Sequence, residues 1–194
     1  MKKIDTKVSI ERIYYPVRVL GPGNRVGIWL NGCNRRCVGC ISPELQIYDN
    51  SKEVTISETM HIIQSIGAPI DGFTISGGEP FYNPEALNTL VQSLADICDD
   101  ILIFTGYTIE ELRLQNNKAI NSVLDTCAAL IDGPFIQELN DSRGLRGSVN
   151  QRCWIFKYHD RYSGIEKAER TVQNIVYGNK ILTIGIPKGG IHLW

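Results

Sequence analysis

Apolar and polar positions along the chain fall into a recurring order of short apolar runs, polar loops and amphipathic stretches. Val26-Gly27-Ile28-Trp29-Leu30 reads as a buried strand that runs directly into a loop rich in cysteine. A helix follows, with Ser57 as its expected cap and Met60, Ile62, Ile63 and Ile66 on its apolar side. Gly72-Phe73-Thr74-Ile75-Ser76 reads as a second strand, ending at Gly77-Gly78. Pro84 then suits the first position of a helix carrying Leu87, Leu90, Val91 and Leu94. Ile101-Leu102-Ile103-Phe104 is a third strand, Thr108 to about Asp125 reads as one helix, and Ala128-Ala129-Leu130-Ile131 is a fourth strand stopping at Asp132-Gly133.

Strand, loop and helix alternating in this way predict a parallel α/β sheet with right-handed crossovers, and such sheets hold ligands at the carboxyl ends of their strands. The end of the chain breaks the pattern. Thr171 to Tyr177 and Lys180 to Pro187 are β-rich and flank Gly178-Asn179, which predicts a hairpin lying beside the mouth of the sheet.

A length of 194 residues with 43% hydrophobic residues suits a single domain with a substantial core. The formal net charge of -1 and the absence of a long Lys/Arg block argue against nucleic acid or an anionic membrane as partner. No apolar run approaches the length of a membrane span, and Met1-Lys2-Lys3 leads into Asp5 and Thr6, not into an apolar signal core, so a cytoplasmic setting is expected. Six cysteines in a chain without an export signal, three of them within eight residues, favour metal over disulfides.

Those three are Cys33, Cys37 and Cys40, spaced C-x3-C-x2-C. Three thiols on one short loop suit one cuboidal iron-sulfur cluster with one iron left open to a ligand. A zinc site is the plainer alternative, although zinc sites usually show paired C-x2-C elements or a histidine partner. Cys98, Cys127 and Cys153 lie apart, next to apolar or helical stretches, and read as free thiols; His61 and His159 read as surface residues. Arg35 and Arg36, inside the cysteine loop, read as solvated charge or as a docking point for an acidic electron donor.

The cysteine spacing after a first strand resembles the cluster loop of the radical S-adenosylmethionine superfamily. Further segments match in order: Gly77-Gly78-Glu79, Thr105-Gly106-Tyr107, Asp132-Gly133-Pro134-Phe135, Arg146-Gly147-Ser148-Val149-Asn150-Gln151, and Gly21-Pro22-Gly23-Asn24-Arg25 before the first strand. From about Gly21 to Arg152 the chain resembles the activases of anaerobic (class III) ribonucleotide reductase.

The resemblance implies a partial (β/α)6 barrel as one domain over 1–194, with a core of about 21–152 and a C-terminal extension over 153–194. It implies a [4Fe-4S] cluster on Cys33, Cys37 and Cys40 and S-adenosylmethionine held by Gly39, Ile41, Gly77, Gly78, Glu79, Thr105 and Asp132. Glu79 with its glycines would receive the methionyl end, Gly39 would lie toward the adenine, and no protein acid or base is required. The expected activity is reductive cleavage of the cofactor to a 5'-deoxyadenosyl radical that makes a glycyl radical on an anaerobic ribonucleotide reductase-like partner, with flavodoxin or ferredoxin as donor. Alternatives are a small radical enzyme with a different peptide or small-molecule substrate, and a non-catalytic iron-sulfur electron carrier. Plain turns explain the glycine segments equally well in isolation, and Asp132 would equally cap a turn.

Overall fold

The computed structural model describes residues 6–188, so the expectation for Met1-Lys2-Lys3 lies outside the described residues. The strands are β1 (Lys7–Val17), β2 (Arg25–Leu30), β3 (Glu53–Thr55), β4 (Gly72–Gly77), β5 (Ile101–Phe104), β6 (Ala129–Asp132), β7 (Arg152–Ile155), β8 (Val172–Tyr177) and β9 (Lys180–Gly185). The α-helices are α1 (Ile56–Gln64), α2 (Pro84–Ala95), α3 (Ile109–Leu114) and α4 (Lys118–Thr126). Strands β3-β1-β2-β4-β5-β6-β7 form one sheet in that order, and β8-β9 form a separate hairpin. The mixed α/β class is as expected. Four strands, β2, β4, β5 and β6, run parallel at the centre, and antiparallel strands close both sides. Among the described residues no helix is long and apolar enough to cross a membrane.

The central strands are covered on both faces, which is why most of β2, β5 and β6 reads as apolar runs. On one face Ile28, Phe73, Ile75, Ile101, Ile103 and Leu130 pack with the helices. Helix α2 contributes Leu87, Leu90, Val91 and Leu94, each essentially inaccessible, and such burial stabilises by about 1.5–3 kcal/mol per side chain. On the other face Leu102, Ala129 and Ile131 meet Leu145, Tyr162 and Ile165, from the chain after β6.

Helix boundaries follow their caps. Helix α1 is capped by Thr55, not Ser57: Glu58 N donates to Thr55 Oγ1 (3.1 Å) while Thr55 N donates to Glu58 Oε2 (2.8 Å). The single helix expected over 108–125 is two. Asn116 takes the left-handed conformation (φ 49°) and Asn117 caps α4, accepting from Ala119 N and Ile120 N. Pro84 opens α2 as expected, with Asn83 as its cap.

The C-terminal hairpin forms as expected, over β8 and β9, and only its position is a correction. It does not lie beside the mouth of the sheet but against its amino end, where Ile184, Ile175 and Leu182 pack with Val17 and Leu20. Val17 pairs with Arg25, the first residue of β2, and Gln173 Nε2 donates to Pro16 O (2.9 Å). That same end is locked by Arg25, which is 0% exposed. Its guanidinium pairs with Asp100 (3.1 Å) and donates to Thr74 Oγ1 (2.8 Å) and Phe73 O (2.6 Å). Tyr162 donates to the same carboxylate and Arg161 pairs with it, so this buried charge is matched as burial requires. The Gly21-to-Arg25 segment therefore serves the far end of the sheet from the cysteines.

Candidate functional site

Parallel pairing aligns the strand ends: Leu30 of β2 lies opposite Gly77 of β4, Ile75 opposite Ile103 of β5, and Phe104 opposite Ile131 of β6. Loops distant in sequence therefore leave the sheet at one edge, namely the cysteine loop, Gly77-Gly78-Glu79, Thr105-Gly106-Tyr107 and Asp132-Gly133.

The cysteine loop is held at its root, where Gly32 N donates to Leu45 O (2.9 Å) and Cys33 N to Gln46 O (3.0 Å). Cys33, Cys37 and Cys40 are free and half-buried, and Arg35 N donates to Cys33 Sγ (3.4 Å). Among the described residues no three His, Cys, Asp or Glu side chains stand gathered around a single metal ion. Three unpaired soft sulfur donors on one loop, one of them already accepting a backbone N–H, suit an iron-sulfur cluster, in which each cysteine takes a different corner. Val38 (78% exposed) and Ile41 (50%) project from the loop. Gly39 has φ 70°, and a Cβ there would stand 2.2 Å from Gln137 Oε1, so Gln137 shares this corner.

The two glycines after β4 are needed for close approach to that loop. Gly77 has φ 113° and a Cβ on it would meet Leu30 N and O at 2.3 Å; one on Gly78 would meet Gly32 O at 2.3 Å and Leu45 O at 2.7 Å. Gly78 N donates to Leu30 O (2.7 Å) and Glu79 N to Gly32 O (2.8 Å), joining the two loops.

Glu79 is 2% exposed. Its Oε1 accepts from Thr105 Oγ1 (2.7 Å) and Phe81 N (3.0 Å), and its Oε2 accepts from Gly106 N (2.8 Å). Burial pushes its carboxyl above the usual range, while these donors and the Arg35 guanidinium pull the other way. A carboxylate offers about four acceptor positions, so three donors leave one free. Thr105 is buried and committed to this brace, since its hydroxyl also accepts from Tyr107 N (3.1 Å).

Asp132 is 0% exposed and spends both oxygens internally. Oδ2 accepts from Ile109 N (2.7 Å) at the start of α3, and Oδ1 accepts from Arg152 Nε (3.0 Å). Arg152 reaches on to Glu110 with two bonds (3.0 and 2.6 Å), holding that carboxyl down at about 2.

Several contacts of residues already singled out were not foreseen. Gln151 donates to Gly133 O (2.8 Å), Asn150 to Pro134 O (2.8 Å), and Ser148 Oγ accepts from Ile136 N (3.1 Å), so the polar segment 146–152 braces the loop after β6. Arg35 is not free surface charge: it lies over the Tyr107 ring (4.5 Å) and pairs with Glu111 (3.5 Å). Of the remaining cysteines, Cys127 is buried ahead of β6, and Cys153 sits on β7 opposite Ile131. Burial pushes the thiols of Cys127 and Cys153 up to about 12, which keeps them protonated at neutral pH. His61 and His159 are exposed.

The stretch that holds these segments is also the stretch matched in known proteins. The model of the 4Fe-4S single cluster domain matches residues 19–154. The anaerobic ribonucleoside-triphosphate reductase-activating protein of Escherichia coli (strain K12) is 33% identical over 147 residues, covering 71% of this chain and 93% of that protein. Its namesake from Enterobacteria phage T4 is 30% identical over 153 residues, 76% of this chain and 94% of that protein. The pyruvate formate-lyase-activating enzyme of Staphylococcus aureus (strain USA300) is 35% identical over 200 aligned residues, 90% of this chain and 79% of that protein.

Proposed function

Because the chain belongs to the 4Fe-4S single cluster domain family, among the radical S-adenosylmethionine enzymes of the glycyl-radical-enzyme-activase type, we propose that Cys33, Cys37 and Cys40 ligate a [4Fe-4S] cluster and that S-adenosylmethionine binds beside it. The observation that carries this reading is the meeting of the three-thiol loop with Gly77-Gly78-Glu79 at one sheet edge. On this reading the parallel strands β2, β4, β5 and β6 are the shared part of the superfamily's incomplete (β/α)6 barrel. Held by Cys33, Cys37 and Cys40 and reduced by an outside donor, such a cluster would supply the one electron that cleaves the sulfonium to methionine and a 5'-deoxyadenosyl radical, the cluster being oxidised in turn.

The chain's own residues bind and orient. The remaining acceptor position of Glu79 and the carbonyls of Gly77 and Gly78 suit the cofactor's ammonium, a charge-assisted contact. Gly39 and Ile41 suit the adenine side. Thr105 and Asp132 act one step back, Thr105 by holding Glu79 and Asp132 by fixing the start of α3 through Ile109 N and Arg152. No side chain here is asked to move a proton; the protein's work is positioning and exclusion of water.

The target is a backbone glycine of an anaerobic ribonucleotide reductase-like partner, with flavodoxin or ferredoxin as electron source. A different glycyl-radical protein is the second reading, favoured by the longer match to the pyruvate formate-lyase-activating enzyme, which spans 90% of this chain. Anaerobic reconstitution with iron and sulfide, then dithionite and S-adenosylmethionine, tests the chemistry. 5'-Deoxyadenosine from wild type and none from Cys37→Ala is expected; failure of wild type to take up any cluster would sink the proposal. Incubation with either reductase or lyase, read as a glycyl radical by electron paramagnetic resonance, then separates the two targets.

A further inference from the structure

The spacer between the first two cysteines, Asn34-Arg35-Arg36, is tied to a fixed post outside the loop. Asn34 Nδ2 donates to the Tyr107 hydroxyl (2.6 Å), and the Arg35 guanidinium lies 4.5 Å from the centroid of the same ring. Arg35 also pairs with Glu111 of α3 (3.5 Å), whose carboxylate is held in turn by Thr108 N (2.7 Å). Tyr107 itself has little freedom. Its N–H donates to Thr105 Oγ1, its carbonyl accepts from Gly133 N (2.8 Å), and its ring packs against the main core.

What the post holds is a strained segment. Arg36 sits at φ 51°, a left-handed conformation that side chains other than glycine rarely take, so the spacer needs outside contacts to keep this shape. In that shape the Arg35 N–H points at Cys33 Sγ (3.4 Å). A hydrogen bond to a ligating sulfur favours the more negatively charged, reduced form of a cluster, and so does a guanidinium nearby.

We infer that Tyr107 is a positioning residue for the cluster, fixing the C-x3-C spacer through Asn34 and Arg35 so that the Arg35 N–H stays on Cys33. The inference rests on the reading of the three cysteines as cluster ligands. It assigns the tyrosine of Thr105-Gly106-Tyr107 to the cysteine loop, whereas the threonine serves Glu79.

The test is a potentiometric titration of the reconstituted protein, read by electron paramagnetic resonance of the reduced cluster, in wild type, Tyr107→Phe, Asn34→Ala and the double variant. Each single change is expected to move the midpoint to more negative potential. The double variant should move no further than the larger single, because both remove the same hydrogen bond. Unchanged midpoints, or shifts that add, would overturn the inference. Should a variant take up no cluster, hydrogen exchange of the cluster-free chain decides: faster exchange across residues 33–37 in both single variants supports the tether, and wild-type rates overturn it. Wild type that loads its cluster while the variants show no shift removes the tether alone; wild type that never loads removes the reading of the cysteines.

Discussion

A methyl group at position 78 is the smallest perturbation that separates close approach from an ordinary turn. In Gly78→Ala the new Cβ would stand 2.3 Å from Gly32 O and 2.7 Å from Leu45 O, where ordinary contact begins at 3.4 Å. Both obstacles are backbone, so neither can swing aside as a side chain would. Overpacking of this kind costs about 1–3 kcal/mol. The bonds Gly78 N to Leu30 O and Glu79 N to Gly32 O lie in the same seam, and weakening them adds about 0.5–1.5 kcal/mol each. The expected loss is about 2–6 kcal/mol, which in a chain of this size lowers Tm by roughly 4–24 °C. Gly164→Ala is the control, since nothing lies within 4 Å of its Cβ and only its φ of 77° opposes the change; about 1–2 kcal/mol is expected there. Anaerobic thermal unfolding by circular dichroism measures both, and iron content after reconstitution shows whether displaced Gly32 carries Cys33 with it. A Gly78→Ala variant no less stable than Gly164→Ala, with full iron, would refute the argument that these glycines seat one loop on the other.

Three further outcomes follow from other parts of the molecule. Arg25→Met leaves the buried Asp100 without its central partner and should cost about 3–5 kcal/mol by urea unfolding. The Glu110 carboxyl is held at about 2 in the folded chain against an ordinary 4.5, so its pairing with Arg152 stabilises above about pH 4.5 and is lost as pH falls toward 2; Glu110→Gln should flatten the acid limb of stability against pH in that window. Asn116→Ala should cost about 1 kcal/mol because alanine resists the left-handed turn between α3 and α4, whereas Asn116→Gly should be close to neutral; thermal unfolding compares them.

How far the sequence could be read depended on what each element buries. Strands β5 and β6, covered on both faces, announce themselves as apolar runs, and β4 as an alternation of Phe73 and Ile75 with Thr74 and Ser76. Strand β1 does not, although it is longer, because its register against β2 shifts between Ile10 and Arg12 and again between Tyr14 and Val17, which destroys the two-residue alternation. Strand β7 is four half-buried residues whose partner lies across a long loop, and only the short run Cys153-Trp154-Ile155-Phe156 marks it locally. It carries the sheet beyond Arg152. The cap of α1 was legible as Thr55-x-x-Glu58, and the Asn116-Asn117 pair marked the break before α4. At the site, the cysteines and glycines were visible because their chemistry and conformational freedom are unusual. The partners of Glu79 were not, since a buried carboxylate finds its donors only once β4 and β5 are paired, and the same holds for Tyr107 and the spacer.

The sheet also grows in the order of synthesis. Strand β2 joins β1, β3 and β4 add at the two outer edges, and β5, β6 and β7 follow one beside the next, so no strand has to be threaded between two already paired. Each exposed edge waits only for the next stretch of chain to emerge from the ribosome. The thiols, however, are made early, and the braces from Gln151 and Arg152 that fasten Gly133 and Asp132 arrive only with β7. A chain interrupted before that point has its cysteine loop and its glycine loop in place while the loop after β6 still lacks these braces.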